Sequence, residues 1–310
     1  MNADILVERA KFIRGIRSFF DKRGFVEVET AVRIPAPAPE EHIDCPPCRD
    51  GGYLRASPEL QMKKLLAAGL DKIYQIGPCF REGERGSRHN PEFTMIEWYR
   101  RNATYRDIAE DLKSLLETMG KETTDFTDFH ELGLNAVSCP SRLSRPSCRP
   151  DGWPVKTTTL SVRDAYLRFA GWDPWQGDWD QDRFDFDMAT KVEPAIKAMG
   201  GGVFLIDYPP QAASLAKLSG DVAERWEFYW DGLELANCFT ELCDEGEQRR
   251  RFLSAKANRR TLGESDYPID EEFLSCLPRI GSAAGVALGV DRLMMVLTGA
   301  RTISDVRAEV

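Results

Sequence analysis

The sequence predicts an α+β fold, a mainly antiparallel sheet flanked by helices, and three observations carry that expectation. Strand-like runs come in groups with helical patterns at their margins rather than in strict alternation with them. The run "RWEFYWDGLELANCF" places Asp231-Gly232 between two β-rich arms, a dipeptide suited to a two-residue turn and so to an antiparallel hairpin. Neither GxxxxGKS nor GxGxxG after a first strand occurs, so the common parallel-sheet phosphate folds are not supported. At 310 residues the chain exceeds one average domain yet can form one large unit, and a single catalytic-sized domain over residues 1–310 is expected.

In chain order, residues 4 to 22 place Ile5, Leu6, Phe12, Ile13, Ile16, Phe19 and Phe20 at helical spacing, with Gly24 as the stop. "FVEVET" alternates like a strand, and the Pro-rich "RIPAPAPEEHIDCPPCRDGG" can continue neither element, so it reads as a loop. Ser57 before Pro58 is a helix start: the hydroxyl can cap free N–H groups, and proline at the first position loses none. "ELQMKKLLAAG" is then a helix ending near Gly69, and "KIYQIGPCF" a strand. Residues 131 to 159, rich in Ser, Pro, Arg and Cys, read as a surface connection, with 131–156 an insertion or irregular stretch. "VRDAYLRFAG" and "EPAIKAMGGG" are short helices around further loops, "GVFLIDYPP" is a buried strand, and "GVALGVDRLMMVLTG" is a Gly-rich strand running into a helix.

The whole-chain numbers exclude several classes. No run of about 18 uncharged apolar residues could cross a bilayer, and "MNADILVERAKF" lacks the form of a secretory signal, so a cytoplasmic location is expected. The formal net charge of −9 gives no general phosphate-binding surface, which disfavours nucleic acid and suits a basic protein partner. The eight cysteines read as reduced thiols. Cys45 and Cys48 in "CPPC" are the one close pair; His42, Cys139 and Cys148 could complete a metal site, but without standard spacing.

The chemistry concentrates in "FREGERGSRHNPEFTMIEWYR". Period-2 alternation puts Phe93, Met95, Glu97 and Tyr99 on one face of a strand, preceded by a loop carrying Arg81, Arg85, Arg88 and His89. Arginine forks match phosphate oxygens, so the block suits a nucleotide triphosphate stacked on Phe93 with an amine-bearing substrate near Glu97; the alternative is a solvated charged loop on an ordinary sheet. In the hairpin, a regular register sets Tyr229 opposite Glu234 and Glu227 opposite Ala236, so Glu227 and Glu234 share a face, where Mg²⁺ on a triphosphate would relieve their repulsion. Asn237, Phe239 and Glu241 fall on the other face unless a bulge near Asn237 intervenes. Arg292, in the first turn of the last helix, makes a third phosphate site.

"RHNPEFTMIEWYR", "GLELANCFTEL" and "GVALGVDRL", in this order, resemble the three signature motifs of class II aminoacyl-tRNA synthetases of the lysyl type, and "SPELQMKKLL" resembles their substrate-side helix. The resemblance covers about residues 4–123 and 200–307. Because the chain begins at the first catalytic helix, without the N-terminal anticodon-binding domain of lysyl-tRNA synthetases, it is most similar to the short paralogues that modify translation elongation factor P. That resemblance implies ATP and Mg²⁺ as cofactors, lysine or β-lysine and elongation factor P as partners, a homodimer, and no membrane or tRNA partner. It assigns Arg81 and Arg292 as catalytic, and Arg81, Glu82, Gly83, His89, Asn90, Phe93, Glu234, Leu235, Gly289 and Arg292 to ATP. Glu227 and Glu234 would hold Mg²⁺, and Ser57, Pro58, Glu59, Glu97, Tyr99, Asn237, Glu241 and Ala287 would line the lysine pocket.

Several departures from the family's wording matter. The family's FRNE is "FREG" here, so Gly83 stands where a glutamate would read the adenine amino group, and Glu82 or Glu84 must substitute. Ala31 replaces the first motif's usual proline at the dimer interface. Ala287 adds a methyl group where lysyl-tRNA synthetases have glycine, which points to a lysine isomer such as β-lysine, although one methyl discriminates by only about 1 to 3 kcal/mol. A minimal tRNA-aminoacylating synthetase and a non-catalytic amino-acid sensor are the alternative readings.

Overall fold

A computed structural model describes residues 3–41, 43–124 and 156–308. The expected insertion at 131–156, except Lys156, and His42, Cys139 and Cys148, lie outside the described residues. Helix α1 (Ala3–Asp21) leads through Gly24, at φ 72°, into the two-residue strand β1 (Val26–Glu27). The Pro-rich loop carries a small hairpin, β2 (Arg33–Ile34) with β3 (Tyr53–Leu54), and is followed by α2 (Glu59–Ala67), β4 (Lys72–Phe80), β5 (Glu92–Arg101) and α3 (Tyr105–Thr124). Next come β6 (Thr157–Ser161), α4 (Val162–Ala165), α5 (Gln181–Asp187), α6 (Glu193–Met199) and β7 (Gly202–Tyr208). Strands β8 (Leu218–Ser219), β9 (Val222–Trp230) and β10 (Leu233–Thr240), helices α7 (Glu245–Leu262) and α8 (Glu271–Ile280), strand β11 (Ala283–Gly289) and helix α9 (Val290–Thr298) complete the order.

One large sheet runs β1-β4-β5-β11-β10-β9-β7-β6, with β8 paired to β9. It is antiparallel except at its two edges, where β1 joins β4 and β6 joins β7 in parallel. The mainly antiparallel α+β expectation therefore holds. Two boundaries differ: of "FVEVET" only Val26 and Glu27 pair, and Thr157 to Thr159, expected in the connection, belong to edge strand β6. Helices α3, α5, α7 and α8 have no counterpart among the expected elements.

Strand alternation divides the core into two layers. Ile96 and Trp98 of β5 face α1, α3 and α9, where Phe20 stacks on Tyr74 at 4.9 Å and meets Trp98 at 5.2 Å. Such aromatic pairs add about 0.5–1.5 kcal/mol each beyond the area that they bury. Tyr99 faces the opposite layer, made with α2, α8 and the helices after β6. Phe93, Met95, Glu97 and Tyr99 thus lie on the α2 side, as the alternation required.

The hairpin turns at Asp231-Gly232, both with positive φ (47° and 76°), as a two-residue turn of this kind requires. Glu234 pairs with Tyr229 as expected, but Glu227 pairs with Asn237, not Ala236. The cause is a β-bulge between Glu234 and Ala236, with Leu235 the extra residue. Beyond it Asn237, Phe239 and Glu241 turn to the face that carries Glu227 and Glu234. The bulge that the sequence required for Glu241 to reach the site exists, two residues before Asn237.

Two arginine clamps hold the surroundings. Arg9 of α1 and Arg307 ion-pair with buried Asp291 at 2.6 and 2.8 Å, and Asp291 also accepts from the Thr94 N–H at 2.8 Å, which ties the start of α9 to β5. Buried Arg259 of α7 donates to Glu40 O at 2.6 Å and pairs with Asp44 at 2.5 Å, pinning the Pro-rich loop.

Gly285 of β11 lies opposite Tyr99, and a Cβ there would fall 2.0 Å from the buried Tyr99 ring. Gly285→Ala must therefore displace Tyr99, and a destabilisation of about 1–3 kcal/mol is expected by urea unfolding. A midpoint equal to that of the unsubstituted protein would show that the ring has room to move.

Candidate active site

The α2-side face of β5, β10 and β11 floors a cleft of about 560 Å³, closed above by the pinned loop and by the turn after β4. Sixteen of the expected site residues line it: Ser57, Glu59, Arg81, His89, Asn90, Phe93, Glu97, Tyr99, Glu227, Glu234, Leu235, Asn237, Glu241, Ala287, Gly289 and Arg292. Pro58, Glu82 and Gly83 do not. Pro58 is buried as the cap residue of α2, which therefore starts one position later than expected, while the Ser57 hydroxyl still accepts from the Glu59 N–H at 2.9 Å. Glu82 is exposed, and Gly83 sits at φ 78°, a conformation in which a glutamate would be strained. Glu84, not Glu82, lines the cleft, 3.5 Å from the Arg81 guanidinium.

One end of the cleft is cationic. Arg81 lies over the Phe93 ring at 5.2 Å, and its Nε is buried without a hydrogen-bond partner. Arg292 donates to Glu234 O at 3.0 Å and meets His89 Nε2 at 2.6 Å. Partial desolvation, then Arg292, lower the His89 pKa. An aromatic plate beside two arginines, one with an unpartnered buried donor, suits a planar base carrying phosphates.

The other end is acidic and closed. Glu97 is fully buried between β4 and β11 and accepts from the Ser57 hydroxyl at 2.6 Å and the Tyr99 hydroxyl at 2.8 Å. Burial, then the Glu59 carboxylate, push its pKa up to about 7. Glu241, 2% exposed, has its pKa raised by burial; Lys63 opposes that rise and Glu59 adds to it. Glu241 Oε1 has no hydrogen-bond partner, while Lys63 is in ionic contact with Oε2. Ala287 pairs with Glu97 on one side and Asn237 on the other, so its methyl group sits on the floor between them. Buried carboxylates short of donors are a receptor for ammonium groups.

Between the two ends stand Glu227 and Glu234. Glu227 accepts from Arg225 at 2.5 Å and from the Tyr229 hydroxyl at 2.6 Å, whereas Glu234 keeps 42% of its side chain exposed. Partial desolvation within the cleft, then Glu227, raise the Glu234 pKa. Among the described residues no group of three or more His, Cys, Asp or Glu forms a metal cage by itself. Mg²⁺ commonly takes one or two carboxylates plus substrate phosphates and water, so an open Glu234 beside an oriented Glu227 fits that ion.

Sequence reasoning offered Glu84 as an alternative to Glu82 but missed Lys63, Glu40 and Arg225, which approach or line the same cleft. Arg225 had a signal, since it lies two residues before Glu227 on one strand face. Lys63 follows Glu59 by one helical turn, a pattern usually found on solvated surfaces. The Cys45 thiol is buried and pushed up to about 11, first by burial, which makes it unreactive. Among the described residues, no helix is long and apolar enough to cross a membrane.

Comparison with known proteins places this geometry in a family. The model for tRNA synthetases class II (D, K and N) matches residues 1–308. The elongation factor P--(R)-beta-lysine ligase of Proteus mirabilis (strain HI4320) is 36% identical over 323 residues, covering 98% of this chain and 94% of the relative. Proteins of the same name from Histophilus somni (strain 2336) and Photorhabdus laumondii subsp. laumondii are 35% and 36% identical, covering 97% and 98% of this chain and 93% and 94% of theirs. An acid pocket and an arginine-lined end on one mainly antiparallel sheet, with a family match over residues 1–308, establish that this chain belongs to the class II tRNA synthetases of the D, K and N type.

Proposed function

We propose that this protein activates a lysine with ATP, forming an aminoacyl adenylate, and transfers the aminoacyl group to a lysine side chain of elongation factor P. The observation that carries this reading is the union in one cleft of a buried Glu59–Glu97–Glu241 cluster with the arginine-lined end. A diammonium ligand answers the first, a nucleoside triphosphate the second. The relatives are named for ligating (R)-β-lysine to elongation factor P, and Ala287 on the pocket floor supports the β isomer here.

The pocket acids hold the two ammonium groups so that the substrate carboxylate points toward Arg81. Phe93 stacks on adenine, Leu235 and Gly289 flank the nucleotide, and Asn90 and His89 border the phosphates. Glu84, on the cleft wall where Glu82 and Gly83 are not, takes over recognition of the base edge. A carboxylate oxygen of the substrate attacks the α-phosphorus, the bond to pyrophosphate breaks, and pyrophosphate leaves. Arg81 and Arg292 neutralise charge developing on the phosphoryl oxygens. Mg²⁺ held by Glu234 and Glu227 would neutralise the polyphosphate. The acceptor amine then attacks the acyl carbon, releasing AMP and losing a proton, and no side chain need act as nucleophile. The net charge of −9 disfavours tRNA as acceptor. The family resemblance further implies a homodimer, measurable by light scattering.

ATP–pyrophosphate exchange should be stimulated by β-lysine more than by α-lysine, with label then transferred to elongation factor P and not to bulk tRNA; exchange with neither isomer would overturn the reading. Arg81→Ala should lower the exchange rate about 100- to 1,000-fold, the usual cost of a donor to a developing oxyanion. Substrate affinity should rise as pH climbs through about 7, because Glu97 ionises there and Glu241 is also raised, and only ionised carboxylates pair with ammonium groups. The Michaelis constant for lysine between pH 6 and 8.5 reads this directly, and one that does not fall with pH would count against a Glu97-lined pocket.

A further inference from the structure

Lys63 is a buried charge at the cleft to which neither the motifs nor the reaction gives a task. It lies on α2 at 1% exposure and meets the acids from behind, without lining the cleft itself. Its ammonium bonds Glu59 Oε1 at 2.5 Å and is in ionic contact with Glu241. Burial opposes its charge, but Glu241 and Glu59 outweigh burial and raise its pKa, so it stays protonated.

The groups facing it are Glu59 from α2, Glu97 and Tyr99 from β5, Glu241 and Cys243 from the end of β10 onward, and Glu40 from the pinned loop. Tyr99 and Cys243 are pushed up, first by burial, and stay neutral. Glu40 is raised, first by burial and then by Glu59, with Arg81 and Arg225 opposing. Of the remaining charges, three carboxylates less one ammonium leave the acid pocket with two uncompensated negative charges when all are ionised. A purely structural ion pair would satisfy its acids, yet Glu241 Oε1 has no partner and Glu59 remains on the cleft wall.

We propose that Lys63 is a positioning and selectivity residue: its fixed ammonium orients Glu59 and Glu241 and sets the pocket's charge to match a ligand with two ammonium groups. The inference rests on the lysine-activating reading above. Without Lys63 the three acids would repel one another, one would hold its proton to higher pH, and the ligand would meet a mispositioned cluster.

The test is lysine- and β-lysine-dependent pyrophosphate exchange by the full-length protein between pH 6 and 9, in Lys63→Met and in Lys63→Met/Glu241→Gln. For K63M the expected result is a rise of about tenfold or more in the Michaelis constant for the amino acid. That for ATP should stay within about twofold, and the acidic limb of kcat/KM should move about one pH unit upward. In the double variant, which leaves two carboxylates and so restores the pocket's charge of two negatives, the limb should return to its original position even if K63M does not fold. An unmoved limb and unchanged amino-acid constant in folded K63M, or a limb moved upward in the double variant, would overturn the proposal. Absence of lysine-dependent exchange in the unsubstituted protein would instead remove the lysine reading itself, and this inference with it.

Discussion

The site depends on one extra residue in a strand. With a regular β9–β10 register, Glu227 and Glu234 would share one face while Asn237, Phe239 and Glu241 pointed into the opposite hydrophobic layer. The bulge at Leu235 reverses the alternation once, so that both halves of β10 present their polar side chains to the same cleft. The same inversion keeps Cys238 and Ala236 in the aromatic layer under α1 and α3. A strand without the bulge would bury Glu241 among apolar side chains with no cation in reach, at a cost no domain of marginal stability could absorb.

From that register follows an electrostatic gradient along a single cleft. Arginines gather where the loops after β4 and the start of α9 meet, and carboxylates gather where β5, β10 and α2 close against one another. Desolvation strengthens both ends. At the acid end it raises Glu97 and Glu241, so the ligand-free pocket holds protons that a diammonium ligand would displace. At the cationic end it leaves Arg81 with an unpartnered donor.

The scaffold keeps these groups in place through contacts distant in sequence. Asp291 joins Arg9, Thr94 and Arg307, so the helix start that carries Arg292 is fixed to β5 and to α1. Arg259 fixes the loop that brings Glu40 over the cleft. Gly285 leaves room for Tyr99, which in turn holds Glu97. Apart from the local Tyr99–Glu97 bond, these are long-range contacts, made only when the two layers have closed on the sheet.

The sequence by itself determined the local elements and most of the site. Alternation in "FTMIEWYR" put Phe93, Glu97 and Tyr99 on one face, Asp231-Gly232 made the hairpin turn, and the Gly-rich strand delivered Arg292 to a helix start, because each depends on neighbours a few residues apart. Tertiary structure alone decided where the bulge falls, that Glu84 and not Glu82 meets the cleft, and that Lys63 meets Glu59 and Glu241 while Arg225 meets Glu227 and Glu40 lines the same cleft. Those outcomes turn on which strand lies opposite which and on what a side chain meets across the core, and a Glu-to-Lys spacing of one turn reads the same on a solvated helix as in a buried pocket.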